Sequence, residues 1–258
     1  MYPVNLEDKV AVVFGVANSR SIAWSIAQIL REAGAKIAIC YQNQRVKDNI
    51  VKLVEKWENV ITIECDVSSN DNIVSAYETI GNEFGRLDII THSIAFANRE
   101  DLGGAFMKTE RDGFHLALDI SAYSLIPIAR YGAQMMKDDG GSILTMTFQA
   151  SERVFPGYNV MATAKAALEN EVKQLANDLG PEAIRVNAIS AGPLDTLSSR
   201  VIRGYTDMKK AYSDRSPMKR NVTFEDVAKT ALYLCSDLSS GVTGEVVHVD
   251  TGYNIMGI

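Results

Sequence analysis

The chain has 258 residues, of which 47% are hydrophobic and 22% charged, a composition that excludes disordered and collagen-like proteins and predicts a soluble globular one. Lys and Arg number 26 against 32 Asp and Glu, so the net charge is −6 and we expect binding neither to nucleic acid nor to a membrane surface. The length fits a single domain spanning residues 1–258.

The cysteines Cys40, Cys65 and Cys235 lie in apolar stretches without the spacing of metal ligands. This pattern predicts that the cysteines are buried free thiols and that the protein resides in the reducing cytoplasm. The N-terminus carries acids where a signal peptide has a basic region, and no apolar run approaches the roughly 18 residues of a membrane helix. The three histidines also share no ligand spacing, so we predict neither a targeting or anchoring segment nor a metal site.

Short apolar runs rich in β-forming residues alternate with segments of helical periodicity. The runs are Val10–Phe14, Lys36–Cys40, Val60–Glu64, Leu87–Thr91, Ser142–Thr147, Arg185–Ile189 and Glu245–Val249. The alternation predicts parallel strands, and strands that are apolar throughout are typical of a sheet covered on both faces. The predicted fold is therefore α/β, a doubly wound Rossmann-type parallel sheet of about seven strands with helices on both faces. A polar insertion at about 195–220 interrupts this rhythm where such sheets bind substrate groups.

The segment after the first predicted strand, Gly15 to Ala23, reads GVANSRSIA. A glycine turn that leads into a helix can bind a pyrophosphate with its amides, although this segment is not G-x-G-x-x-G and a plain turn is an equal alternative. Gln42 follows the second strand, where dinucleotide folds contact the adenosine ribose, and an amide tolerates NADH or NADPH. Asp66 follows the third strand, where it can bind the adenine amino group or cap the next helix.

Tyr158 and Lys165 lie seven residues apart after the fifth strand, in the segment YNVMATAK. Seven residues are about two helical turns, so we expect both side chains on one face of a helix. A phenol with a reference pKa near 10 can act as an acid or oxyanion donor near neutral pH, if a fixed ammonium beside it favours its ionised form.

Five segments in order resemble one family, the short-chain dehydrogenase/reductases, and within it the bacterial enoyl-acyl-carrier-protein reductases of fatty-acid synthesis. In chain order they are SIA near residue 22, DISAYS from Asp119, YNVMATAK from Tyr158, VNAISAGP from Val186 and GEVVHVD from Gly244. The Tyr-x6-Lys spacing resembles the enoyl reductases, whereas most members of the superfamily have Tyr-x3-Lys. Tyr205 and Lys209 match the shorter spacing but lie in the insertion, so we do not expect them to be catalytic.

The resemblance implies that Tyr158 donates to the thioester oxygen and that Lys165 holds the nicotinamide ribose, while NADH, with NADPH as a second option, reduces an enoyl thioester on acyl-carrier protein. It implies that the cofactor contacts Gly15, Ser21, Ile22, Gln42, Asp66, Val67, Ser93, Ile94, Ile120, Lys165, Leu194 and Thr196. The implied substrate pocket comprises Phe148, Tyr158, Met161, Ser198 and Met208. It further implies a cytoplasmic homotetramer.

Two residues depart from the family pattern. Phe148 replaces a second tyrosine that the family usually has ten residues before the catalytic one, and Asp195 stands where a basic residue is usual. A carboxylate near the cofactor phosphates would cost affinity unless it points away. Two alternatives therefore stay open: a reductase of another enone or carbonyl compound, and a weakly active nucleotide-binding regulatory protein.

The insertion is strongly basic within an acidic chain. Residues 200–220 carry seven bases, namely Arg200, Arg203, Lys209, Lys210, Arg215, Lys219 and Arg220. With two acids among them the segment has a net charge of 7 − 2 = +5. The pattern predicts either a solvated helix face or a patch that steers the acidic carrier protein, with Lys209 and Lys210 acting together.

Overall fold

The computed structural model describes residues 4–136, 138–197, 199 and 204–257. Its strands form one seven-stranded sheet in the order β3-β2-β1-β4-β5-β6-β7, and all neighbours pair in parallel. The strands are β1 Val10–Phe14, β2 Lys36–Tyr41, β3 Val60–Glu64, β4 Ile89–His92, β5 Gly141–Thr147, β6 Ile184–Ala191 and β7 Val246–Val249. All seven predicted strands are present with ends shifted by at most two residues, so the predicted fold class is confirmed.

Helices cover both faces of this sheet. The described α-helices are α1 Ile22–Glu32, α2 Gln44–Val54, α3 Asn70–Phe84, α4 Arg111–Leu118, α5 Leu125–Met136, α6 Val160–Leu179, α7 Tyr205–Arg215 and α8 Phe224–Cys235. One buried apolar cluster joins the sheet to α1, α2 and α8, and a second joins the opposite face to α3, α5 and α6. Burial of apolar surface on both faces explains why the strands are apolar throughout.

The strand order places a crevice at one edge of the sheet. From the carboxyl end of β1 the chain passes to β2 on one side of the sheet. From the carboxyl end of β4, the other neighbour of β1, it passes to β5 on the opposite side. Open α/β sheets bind ligands at such a reversal. A π-helical turn, Asp119–Tyr123, links α4 to α5 beside this crevice, and Ser121 Oγ lies 2.9 Å from both the amide nitrogen and the carbonyl oxygen of Phe96 in the loop after β4.

Candidate active site

A cavity of about 550 Å³ opens at the carboxyl ends of the strands. Its wall contains every predicted cofactor-binding residue, namely Gly15, Ser21, Ile22, Gln42, Asp66, Val67, Ser93, Ile94, Ile120, Lys165, Leu194 and Thr196. The predicted substrate residues Phe148, Tyr158, Met161 and Met208 lie in the same wall, whereas Ser198 lies outside the described residues. The fold thus brings the described members of both predicted sets to one cavity, and their contacts with ligands stay predictions.

The turn after β1 requires a glycine. Gly15 has φ +97°, and a Cβ atom there would collide with the carbonyl oxygen of Ser93. Ser21 Oγ accepts hydrogen bonds from the amides of Ala17 at 3.0 Å and Asn18 at 3.1 Å. This compact turn leads to α1, which starts at Ile22 in the cavity wall, so the first amides of the helix are suited to bind a pyrophosphate.

The part of the cavity wall at the ends of β2 and β3 fits an adenosine. Gln42 and Asp66 lie there, and Asp66 Oδ1 accepts hydrogen bonds from the amide and the hydroxyl of Ser68 at 3.0 and 2.8 Å. The side chain that caps α3 is Ser69, so Asp66 shapes the preceding turn and the capping alternative for it is wrong. Among the described residues of the cavity wall, Lys165 is the one cationic side chain.

Tyr158 does not lie on α6, contrary to the prediction from its spacing to Lys165. Asn159 adopts φ +40°, a conformation incompatible with a helix, and its side-chain amide donates to the carbonyl of Gly103 at 2.6 Å. The helix therefore begins at Val160, and Tyr158 lies in the turn before it. Both side chains nonetheless reach the cavity.

An aromatic wall surrounds the Tyr158 phenol. The Phe148 ring, whose residue is 9% exposed, has its centroid 5.1 Å from that of Tyr158 and 4.8 Å from that of Phe155. Burial raises the pKa of Tyr158 well above its ordinary value. The phenol is thus protonated at neutral pH, the form that can donate a hydrogen bond or a proton.

Lys165 is 4% exposed and is held by backbone rather than by the phenol. Its ammonium donates to the carbonyl of Met146 at 2.9 Å and to that of Ile94 at 3.4 Å. Burial lowers the pKa of Lys165 to about 8, and Glu169 and Glu171 oppose that shift. The pKa of the phenol is therefore not lowered as it would be if the ammonium favoured its ionised form, because burial raises that pKa and the ammonium donates to these carbonyls.

The structure also shows contacts that the sequence reasoning missed. The Lys209 ammonium of α7 lies 2.7 Å from Asp195 Oδ2, and Asp195 is not among the described wall residues. The carboxylate is thus directed to α7. Tyr205, the first residue of α7, lines the cavity although no role was predicted for it. The sequence signal for the contact with Lys209 was Asp195 itself, because an acid where the family usually has a base suggests a cationic partner elsewhere in the fold.

Metal binding and membrane crossing are two further properties that the structure bears on. In the part of the chain that it describes, no group of three or more His, Cys, Asp or Glu side chains is placed to hold a metal ion. No helix of that part combines the length and apolar character that a bilayer crossing requires.

Comparison with known proteins gives long matches. The profile of the family described as enoyl-(acyl carrier protein) reductase matches residues 15–254. The NADH-dependent enoyl-acyl-carrier-protein reductase FabI of Bacillus cereus is 48% identical over 254 residues, which cover 98% of this chain and 99% of that protein. The NADPH-dependent FabI of Staphylococcus aureus strain MRSA252 is 47% identical over 253 residues, which cover 97% and 98%.

A solved structure is equally similar. The crystal structure of the Bacillus cereus enoyl-acyl carrier protein reductase with NADP+ and indole naphthyridinone superposes with a TM-score of 0.96 at 47% identity. The match covers 99% of this chain and 100% of that one. The similarity therefore includes the whole sheet and the loops that form the cavity.

Proposed function

Because the chain belongs to the enoyl-acyl-carrier-protein reductase family, we propose that it reduces trans-2-enoyl thioesters on acyl-carrier protein with NADH, in fatty-acid elongation. The observation that carries the proposal is the cavity shared by Tyr158, Lys165 and the predicted cofactor residues. The reaction unit is the single domain of residues 1–258, with the segment at about 195–220 as its substrate-binding insertion.

The residues present fit a nicotinamide dinucleotide. The turn at Gly15 leaves no room for a side chain beside Ser93, so backbone can approach the pyrophosphate, and the ammonium of Lys165 has a third hydrogen to donate to a ribose hydroxyl. The bound nicotinamide supplies a hydride to the β-carbon of the enoyl thioester.

Tyr158 acts at the thioester oxygen. Negative charge develops on that oxygen as the β-carbon is reduced, and a donor already in place there lowers the barrier by about 3 kcal/mol. Among the described residues none forms a hydrogen bond with the Tyr158 hydroxyl, and Tyr158 is half-buried in the cavity wall, so the hydroxyl is available to the substrate. The resulting enolate then takes up a proton from solvent water at its α-carbon.

The apolar part of the cavity accepts the acyl chain. Phe148, Met161, Met208, Leu102 and Leu197 are in its wall, and an alkyl chain is buried most favourably among such side chains. Phe148 retains the aromatic surface of the usual tyrosine without its hydroxyl. Tyr158 is therefore the phenol that acts on the substrate.

NADH is the preferred cofactor in this proposal. A 2′-phosphate requires a cluster of cationic partners, and Gln42 occupies the end of the cavity where it would lie. Arg45 and Lys47 of α2 are not among the described wall residues. NADPH is the second option, since relatives named for each cofactor are similar to this chain.

The remaining proposals concern the setting of the reaction. The basic residues of the insertion steer the acyl-carrier protein toward the cavity. Lys210 is a candidate for this contact, because it is exposed on α7. Four copies assemble, with exposed apolar side chains such as Met107 and Val154 as candidates for the contacts. The enzyme works in the cytoplasm, in keeping with three buried free thiols.

A turnover assay tests the function. Purified protein is mixed with NADH and crotonyl thioester, on acyl-carrier protein and on a small carrier, and loss of NADH absorbance is followed. We expect turnover that Tyr158→Phe lowers by about 10²-fold. Faster turnover of another enone or carbonyl compound than of the crotonyl thioester would refute the substrate assignment. Phe148 is the residue that favours this alternative. Binding of NADH without turnover of any acceptor would favour a regulatory protein.

A further inference from the structure

Three polar side chains with 0% exposure, His92, Ser124 and Thr145, lie behind the candidate active site. His92 is the last residue of β4 and pairs in register with Thr145 of β5. The imidazole Nδ1 lies 2.8 Å from Thr145 Oγ1, and Nε2 lies 2.9 Å from Ser124 Oγ. Burial of such groups is costly unless they are hydrogen-bonded, so this imidazole joins β4, β5 and the start of α5 at a defined distance.

The two backbone segments that hold Lys165 directly follow His92 and Thr145 in the chain. Ile94 follows His92 by two residues, and Met146 follows Thr145 by one. The carbonyls of Ile94 and Met146 are the two acceptors of the Lys165 ammonium. The hydrogen bond between the side chains of His92 and Thr145 therefore helps to set the separation of the two carbonyls just beyond these paired residues.

We propose that His92 and Thr145 are positioning residues, which orient the Lys165 ammonium toward the cofactor by fixing the two backbone segments whose carbonyls hold it. The inference rests on the proposed function, because it takes from there that Lys165 binds the nicotinamide ribose.

The hydrogen-bond directions make Thr145 the donor. Ser124 Oγ donates to the carbonyl of Ile120 at 2.7 Å, so Nε2 of His92 carries the proton that Ser124 Oγ accepts. Nδ1 then accepts from the Thr145 hydroxyl, which lies nearer to it, at 2.8 Å, than to its other acceptor, the carbonyl oxygen of His92, at 3.2 Å. Burial, and secondly the Lys165 charge, lower the pKa of His92 to about 3, so the imidazole is neutral and does not repel the ammonium.

Thr145→Val and Thr145→Ser form a matched pair for the test. Valine keeps the shape of threonine without the hydroxyl, whereas serine keeps the hydroxyl. We expect Thr145→Val to weaken NADH binding about tenfold, with a similar loss in kcat/KM, and Thr145→Ser to bind NADH like the wild type. Fluorescence titration measures NADH affinity, and thermal unfolding followed by circular dichroism verifies that each variant is folded at the assay temperature.

Two readouts separate positioning from general damage. In a Lys165→Met background, Thr145→Val should cause no further loss of NADH affinity, because the group that it positions is gone. The groups facing Lys165 are His92, Glu169 and Glu171. None of them is changed, so a displaced carbonyl should lower the pKa of Lys165 and move the pH midpoint of NADH binding downward.

The outcomes that overturn the proposal are distinct. A folded Thr145→Val with wild-type NADH affinity would refute it, and an equal loss with or without Lys165 would show a structural effect only. If Thr145→Val does not fold, His92→Asn, which keeps an acceptor near Nδ1, is compared with His92→Leu, and equal NADH affinities would refute it. Wild-type protein that binds no NADH would refute the proposed function itself, and this inference with it.

Discussion

The ion pair between Asp195 and Lys209 holds α7, which forms part of the cavity wall, so reversing a charge of the pair should disturb that wall. The paired atoms are 2.7 Å apart, and the side chains are 55% and 28% exposed, respectively. A partly exposed pair of this kind contributes about 0.2–1 kcal/mol. Lys209→Glu removes this attraction and adds a repulsion of similar size, so the change is about 0.4–2 kcal/mol, or roughly 2- to 30-fold in an equilibrium or rate constant.

The reversal should act on every substrate. α7 contributes Tyr205 and Met208 to the cavity wall, so displacement of this helix alters the acyl pocket whatever carries the acyl group. We therefore expect kcat/KM to fall for carrier-linked and small crotonyl thioesters alike. Lys210→Glu, one residue away and exposed, should lower kcat/KM for the carrier-linked substrate only, and more at low salt.

Steady-state kinetics with both substrates at two ionic strengths makes the comparison. The double variant Asp195→Lys/Lys209→Glu restores opposite charges and should recover the small-substrate kcat/KM. If Lys209→Glu instead leaves the small substrate unaffected, as Lys210→Glu does, the ion pair does not position α7. The joint steering role predicted for the two lysines would then be right, and the role assigned to this contact would be wrong.

Four further predictions concern the cofactor and the reacting oxygen. Tyr158→Phe should lower kcat by about 10²-fold with unchanged NADH affinity in a fluorescence titration, whereas Lys165→Met should weaken NADH binding as well, and a near wild-type kcat for Tyr158→Phe would contradict the assignment. Gly15→Ala should weaken NADH binding and destabilise the fold by about 1–3 kcal/mol in urea unfolding. The control for backbone strain alone is Gly85→Ala, because Gly85 has φ +72° and no atom lies within 4 Å of the position that its Cβ would take. The kcat/KM with NADH should exceed that with NADPH, and the reverse order would show that Arg45 reaches the 2′-phosphate. Since burial lowers the pKa of Lys165 to about 8, its ammonium predominates below that pH and is lost above it, so NADH affinity should fall as pH rises through about 8, and a flat profile would exclude the ammonium as a ribose ligand.

Much of the fold and part of the site could be predicted from local sequence. The strands follow from apolar runs such as Val10–Phe14, because a strand buried on both faces needs apolar residues at every position. Gly15 could be singled out because a turn with positive φ favours glycine. The residue pair Tyr158 and Lys165 could be identified from spacing and family resemblance, and both lie in the cavity wall.

The tertiary structure alone decided how these side chains are held. Spacing placed Tyr158 on a helix, but the bond from Asn159 to Gly103, 56 residues away, stabilises a backbone that starts the helix later. The acceptors of Lys165 lie 71 and 19 residues before it. Sequence by itself determined the elements and the chemical groups, because periodicity and turn preferences are local. The partners of those groups depended on sheet register and helix docking, which join residues distant in the chain and leave no local pattern.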